Sequence, residues 1–546
     1  MRGVVCTGRR SISRLPALLL LGFLSLFLFQ AACDSPPQIL EISPGKGARD
    51  IPTNAPIRIK FDRPLDKASV AARFGLRPKV GGQISWETPN LLVFQHDTLD
   101  VSTEYQVVIT SGYRDTAGNA NTFNHSWTFR TEPPPELRGS APAQGEGQVD
   151  PAIYVAMSFS REMNVDSFRG SVTVSPSISV LVQADPSDAK RILIAPTSLL
   201  TPHTDYDVLI SGDVTDQDGN HLRPVRLHFA TGAARPLSHW ITFIASEAGA
   251  SAGSGIWMVD DSGFPRRLED TPAVGFSWTP DGSNLLVRHS DDSWTDYPIG
   301  SDASGLPFIA EWAGYLGPRD GYVYLNGSEL SRLLPEGAST SIANGISGAA
   351  ISHDLNRIAF SQSVPDGTDI RAYDVELRAQ YRVQHEVAPV TELTWSPDGT
   401  KLAYLVSLGP GGQLALRVKS LTGRAAATTI ASGQIADLAW LADSSDLTFT
   451  AQVSISGKLL SRIFRVNTAL PPAQLSGAAA IGPATEADVF QPQPSPDGHQ
   501  IAFLLGRGDS AQIWLMNSDG TSPGRLTGFD PAAFPYSCRD LHWASP

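Results

Sequence analysis

Six stretches of this chain carry residue types that could do chemistry. Gly249-Ala250-Ser251-Ala252-Gly253 has the Gly-x-Ser-x-Gly form of a serine-hydrolase elbow. That motif needs a strand before it and a helix after it, to hold the serine on a strained turn. Here it lies within the Gly/Ser/Ala-rich stretch 248–255, which reads as a hairpin loop, and the remaining chain has no room for a hydrolase domain. Asp216, Asp218 and Asn220 alternate oxygen donors as a calcium loop does. The loop has no Glu twelve residues after its start, and Asp and Asn beside Gly form tight turns without any ion. Arg507-Gly508-Asp509 is a triplet that binds integrins when exposed in animal matrix proteins, and it equally makes a hairpin turn. Asp260-Asp261 and Asp291-Asp292 fall at strand ends, where acids are solvated. Cys538 has no basic neighbour to activate it as a nucleophile. No His-Glu-x-x-His, Cys-x-x-Cys or phosphate-binding glycine loop occurs among the 546 residues. These residues predict no catalytic set, no cofactor and no metal.

The N-terminus carries a different kind of chemistry. Arg9, Arg10 and Arg14 precede an apolar run from Leu15 to Phe29, broken only by Pro16, Gly22 and Ser25. A charged segment followed by an apolar one of this length is a secretory signal. Gln30-Ala31-Ala32-Cys33 follows, and it resembles a bacterial lipobox, with Gln30 departing from the usual Leu. The resemblance implies that residues 1–32 are removed and that Cys33 is lipidated, with 33–37 as a tether. An ordinary secretory signal or a single spanning helix are the alternatives, and all three place the folded body outside the cytoplasm. Cys6 leaves with the signal and Cys33 would be acylated, so Cys538 is left without an intramolecular disulfide partner.

Net charge is −13. Removing 1–32 takes away four arginines and no acid, which leaves −17. An acidic body lacks the basic footprint that nucleic acid demands, and it gains nothing electrostatically from anionic lipid.

The elements that must position any site are strands. Residues 38–132 and 133–232 read as two copies of one unit. Leu99-Asp100-Val101-Ser102-Thr103-Glu104-Tyr105-Gln106-Val107-Val108-Ile109 matches Leu200-Thr201-Pro202-His203-Thr204-Asp205-Tyr206-Asp207-Val208-Leu209-Ile210. Asp115-Thr116-Ala117-Gly118-Asn119 matches Asp216-Gln217-Asp218-Gly219-Asn220, and Trp127–Thr131 matches Leu227–Thr231. Short alternating strands between turn signals, at this unit length, predict β-sandwiches. The two segments resemble bacterial Ig-like domains of the SbsA-like type, which implies spacers or adhesive stalks. Pro133-Pro134-Pro135 is a stiff joint between them.

From 237 to 546 a phrase returns: Trp278-Thr279-Pro280-Asp281-Gly282, Trp395-Ser396-Pro397-Asp398-Gly399 and Pro494-Ser495-Pro496-Asp497-Gly498. Eroded copies lie near 314, 350 and 438, and each phrase leads into a β-type run. Proline presets φ, the aspartate caps the turn and glycine takes positive φ, while the Trp is expected to pack between blades. The pattern resembles TolB-like, WD-like propeller repeats. Leu541-His542-Trp543-Ala544-Ser545-Pro546 stops where Asp-Gly should follow, and Trp240–Ser246 begins where the phrase should resume. The two ends therefore should pair, Arg539–Pro546 with Trp240–Ser246, and close the ring. The expected architecture is all-β: two Ig-like β-sandwiches, then a propeller of seven blades, or six if an eroded copy forms none.

The leading functional expectation is a non-enzymatic, membrane-anchored extracytoplasmic lipoprotein that presents a β-propeller binding platform, for a protein or glycan ligand, on an Ig-like stalk. One alternative is an envelope lyase or glycan hydrolase with acids in the propeller channel. The other is a sensor or envelope-assembly factor. Desolvated carboxylates clustered in the channel would favour the enzyme, and an aromatic or apolar rim the binding module.

Overall fold

The computed structural model describes residues 35–546 except 186, 234–238, 248–254, 261–262, 270, 280–281, 300–302, 471, 507–509, 528–535 and 545–546. The signal, Cys33, the Gly249–Gly253 motif and the Arg507-Gly508-Asp509 triplet lie outside the described residues. The chain divides into two compact units, Met1–Pro133 and Pro134–Pro546. The division falls within the proline run, and it leaves the second sandwich in one unit with the propeller.

In the first sandwich, Ile57–Phe61 alternates, so Ile57, Ile59 and Phe61 are fully buried while Arg58 and Lys60 face outward. One sheet runs Ile39–Ser43, Ile57–Phe61, Leu91–His96, Gly82–Thr88; the other runs Ala48–Ile51, His125–Thr131, Glu104–Ile109, Phe74–Arg77. The core between them includes Tyr105, Val107, Tyr113, Trp127 and Phe129. Ser35 to Pro37, expected within a flexible tether, are instead held down. Arg63 donates to the Ser35 carbonyl and hydroxyl, and Tyr113 and Asn121 donate to the Pro37 carbonyl.

The second sandwich repeats this strand order, with Val180–Asp185, Asp188–Pro196, Val155–Phe159 and Leu137–Ala141 in one sheet and Glu146–Val149, Val225–Thr231, Asp205–Ile210 and Val172–Ser175 in the other. The correspondence reaches single hydrogen bonds. The Tyr105 hydroxyl accepts from the Asp100 N–H and the Tyr206 hydroxyl from the Thr201 N–H. Thr131 Oγ1 donates to the Asp100 carbonyl and Thr231 Oγ1 to that of Thr201, both at 2.6 Å.

The copies differ in one sheet face. In the second, Ala156, Leu193 and Ala195 are buried against Phe264 of the propeller, with Tyr154 and Leu181 packed on the same cluster. A parallel bridge joins Ser198 to Arg267, whose N–H donates to the Thr197 carbonyl. Arg266 is fully buried at this seam; it donates to the Ala152 carbonyl and lies 5.3 Å from the centre of the Trp240 ring. Burial pulls its pKa down to about 10, against the charges of Asp260 and Asp150, so it remains a cation at neutral pH. The expected boundary at 233–236 therefore separates segments of sequence, not independent bodies.

Seven sheets follow among the described residues, each entered by an inner strand: Ala273–Trp278, Trp312–Tyr315, Ile346–Ile351, Val390–Trp395, Ile435–Trp440, Val489–Pro494 and Tyr536–Trp543. Six have four strands. The sheet entered by Ile435–Trp440 has three, and its outer edge is met by the Ile481 N–H at Ile463 and by Asp488 at Ser461. The last sheet joins both chain ends. Tyr536–Trp543 pairs antiparallel with Ile241–Glu247, from Ile241 opposite Trp543 to Glu247 opposite Tyr536. That is the closure foreseen from the split phrase.

The repeat phrase does the structural work expected of it. Ser396 Oγ donates to Asp398 at 2.6 Å and accepts from the Lys401 N–H at 2.9 Å, and Gly399 takes φ +65°. In the eroded copies Leu355 and Ser444 occupy the glycine position at φ +60° and +56°, so the turn geometry outlasts the glycine. The tryptophans tie neighbouring blades. Trp395 Nε1 donates to the Ala350 carbonyl, Trp440 to Thr394, Trp543 to Gln493, and Trp278 to Thr242 Oγ1. Among the described residues no helix is long and apolar enough to cross a membrane.

Candidate functional site in the propeller channel

Three residues before each of three interblade tryptophans stands an acid: Glu392 before Trp395, Asp437 before Trp440 and Asp540 before Trp543. Gln491 holds the same place before Pro494. Each sits at a bulge in its inner strand, where the ladder register slips. All four take left-handed backbone, with φ of 41°, 57°, 49° and 51°. Left-handed backbone at a residue other than glycine costs on the order of 1–3 kcal/mol, so something must hold these residues there.

The holding interactions run from blade to blade. The Leu438 N–H donates to Glu392, the Gln491 N–H to Asp437 at 3.1 Å, and the Leu541 N–H to Gln491 Oε1 at 3.2 Å. At the bulges of Asp437, Gln491 and Asp540 a backbone N–H leaves its ladder, and the side chain of the preceding blade accepts it. Asp437 also accepts from Thr450 Oγ1 at 2.7 Å. The result is a belt of acceptors along four consecutive inner strands.

Glu392, Asp437, Gln491 and Asp540 line a cavity of about 330 Å³ together with Phe276, Ser277, Leu438, Gln493, Leu541 and His542. Among the described residues no Lys or Arg lines it. At the matching place in the other three blades stand Gly275, Trp312 and Gly348, and there the wall changes character. A second cavity of about 350 Å³ is lined by Trp278, Trp312, Tyr315, Ile351, His353, Leu355 and Leu393, with several small and hydroxyl residues. Ser277 and His542 border both cavities. The channel thus has an acceptor-rich side, set by one position of the repeat, and an aromatic side to which that position contributes Trp312.

Desolvation raises the Glu392 carboxyl above its ordinary range, and the nearby Asp437 charge adds to the rise. Asp540 is also raised by desolvation, opposed by the Arg539 charge and a hydrogen bond with Gln491. The His542 ring is open to the channel but enclosed by its wall, and desolvation brings its pKa down to about 4. It stays neutral at pH 7 and meets Phe276 edge to face, 6.5 Å between ring centres. Glu392, Asp437, Asp540 and His542 do not bring three ligand atoms within 4.8 Å of one another.

The residues singled out from sequence lie elsewhere. Asp216 Oδ1 accepts from the N–H groups of Asp218 and Asn220, and Oδ2 accepts from Asn220 Nδ2. Asp115 makes the same three bonds in the first copy, so turn chemistry accounts for both. Cys538 is buried, and desolvation pushes its thiol up to about 12, which makes it a poor nucleophile. Asp291 accepts from Ser293, and Asp292 pairs with Arg288, both as turn and surface partners.

Comparison with known proteins places the N-terminal copies. Residues 34–131 and 132–231 each match the family model of the bacterial Ig-like domain. The two sandwiches are bacterial Ig-like domains. Solved structures similar to this chain at low identity include the following. TolB from Acinetobacter baumannii is similar at 14% identity over 69% of this chain and 83% of its own, with a TM-score of 0.35. An oligogalacturonate lyase from Vibrio parahaemolyticus is similar at 11% identity over 54% of this chain and 86% of its own, also at 0.35. TolB from Agrobacterium tumefaciens is similar at 16% identity over 53% and 89%, at 0.34.

Proposed function

We propose that this is an extracytoplasmic lipoprotein, anchored through Cys33, whose propeller channel binds a protein or glycan ligand. The observation that carries the binding reading is the channel's two unlike walls: fixed acceptors on one side, aromatic rings on the other, meeting at Ser277 and His542. Rigid acceptors beside cavity-lining rings suit recognition, because they orient a ligand without reorganising. Glu392, Asp437 and Gln491 each spend a lone pair on a neighbouring blade's N–H. That use favours holding a shape over moving protons.

The test is capture from the native envelope, and binding of purified glycans and peptides, by full-length protein and by Trp312→Ala and Asp540→Asn. Each substitution should reduce capture at least about tenfold, a loss of about 1.4 kcal/mol. Undiminished capture by both variants would remove the channel from the reading. Cys33→Ser should release the protein from membranes or leave an uncleaved precursor; wild-type fractionation and migration would end the anchoring claim.

One observation favours an enzyme. Two desolvated carboxyls and a neutral histidine share a cavity, a pattern that concentrates at catalytic sites. A lyase or hydrolase acting there should lose turnover on a polysaccharide panel in Glu392→Gln while retaining binding. A binding module shows no turnover in either form.

A further inference from the structure

We propose that the second Ig-like domain clamps the ring of the propeller shut, in addition to any role as a spacer. The closing sheet is the one whose strands come from both ends of the propeller segment, so no covalent link crosses it. Its integrity rests on the ladder between Ile241–Glu247 and Tyr536–Trp543, on the Ala544 N–H bonded to the Trp240 carbonyl at 2.7 Å, and on side-chain packing.

The second Ig-like domain grips that sheet in three places. The sheet's outermost strand, Arg266–Glu269, meets the domain through one parallel bridge, Arg267 to Ser198, two residues past the sandwich strand Asp188–Pro196. Phe264, beside that strand, is buried among Ala156, Leu193 and Ala195. Ala152 joins the apolar cluster that holds Ile244 of one closing strand, Ala544 just past the end of the other, and Trp278, Leu285 and Val287 of the next blade. One domain thus touches the outer strand of the closing sheet, the packing of its closing strands, and the neighbour they close against. Opening the ring would strip these contacts as well as the ladder. Coupling of that kind makes the ladder's opening free energy depend on the sandwich.

The experiment is amide hydrogen exchange on the full-length protein and on Phe264→Ala. Exchange in Ile241–Glu247 and Tyr536–Trp543 should speed up roughly tenfold or more, while Arg357–Val364 and Lys401–Ser407, in sheets away from the seam, change less than about twofold. If Phe264→Ala fails to fold, Phe264→Leu makes a smaller lesion at the same contact and should accelerate the same two strands to a lesser degree. Unchanged exchange in the closing ladder, in a variant whose Phe264 contact is lost, overturns the clamp. A uniform acceleration across all sheets overturns it too, because a merely structural aromatic would loosen the propeller without preference for the closing blade.

Discussion

The two Ig-like domains share strand order, core and single hydrogen bonds, yet one sheet face is built for water and its twin for protein. Arg58 opposite Val93 in the first copy corresponds to Ala156 opposite Leu193 in the second. Gln83 opposite Gln95 corresponds to Leu181 opposite Ala195. Arg58 reaches Glu87 at 2.8 Å on an exposed surface, whereas Ala156 and Ala195 are buried under Phe264. A sandwich needs only its inner face to fold, so the outer face is free to specify what the domain joins. The difference separates a domain that is a compact unit by itself from one that belongs to the propeller's unit.

Three sets of substitutions test that comparison. The largest effect is expected from charge on the covered face. Ala195→Asp should destabilise the second unit by about 3 kcal/mol or more, since the carboxylate enters a closed apolar seam. Gln95→Asp, its counterpart, should stay within about 0.5 kcal/mol. Thermal melts of both full-length variants decide the matter; equal shifts would break the comparison.

The next probe asks where the copies should behave alike. Asp115 and Asp216 are both buried and each accepts the same three donors. Replacing either by Ala should cost roughly 1–3 kcal/mol, by leaving turn N–H groups unsatisfied. A large cost in one copy alone, read from denaturant midpoints, would mean that the turns have diverged.

The smallest effect is a pH dependence confined to the first copy. His125 pairs with Ile109, and Val225 holds the corresponding place opposite Ile210. Burial lowers the His125 pKa in the folded state, so below the ordinary histidine range the unfolded chain binds the extra proton first. Stability of the first domain should therefore fall as pH drops through and below about 6.5, the unperturbed value. His125→Val should flatten that slope, as followed by melting of the first transition between neutral and mildly acidic pH.

Much of this architecture was legible from the residues. The Ser-Pro-Asp-Gly phrases, the tryptophans and the split Trp543/Trp240 ends predicted blades, interblade packing and closure, because each rests on local turn chemistry or on period. The covered face was only partly written in the chain: Ile192-Leu193-Ile194-Ala195 is apolar throughout, but the corresponding Leu92-Val93-Phe94-Gln95 is apolar up to Gln95, so the two faces differ in sequence only at single positions such as Ala195 against Gln95 and Ala156 against Arg58. The acceptor belt escaped notice. Its signal was an acid three residues before a blade tryptophan, but an acid near a strand end reads as solvated until its neighbours are known.

What the sequence determined by itself was the set of elements: strands from alternation, turns from Pro, Asp and Gly, and the repeat from its period, all of them effects within a few residues. What only the tertiary structure decided was the meeting of distant side chains. Across the belt, donor and acceptor stand 46, 54 and 50 positions apart along the chain, and Arg266 and Ala152 stand 114 apart. Such pairs gain their free energy only after the ring has closed and water has left, so no local pattern could announce them.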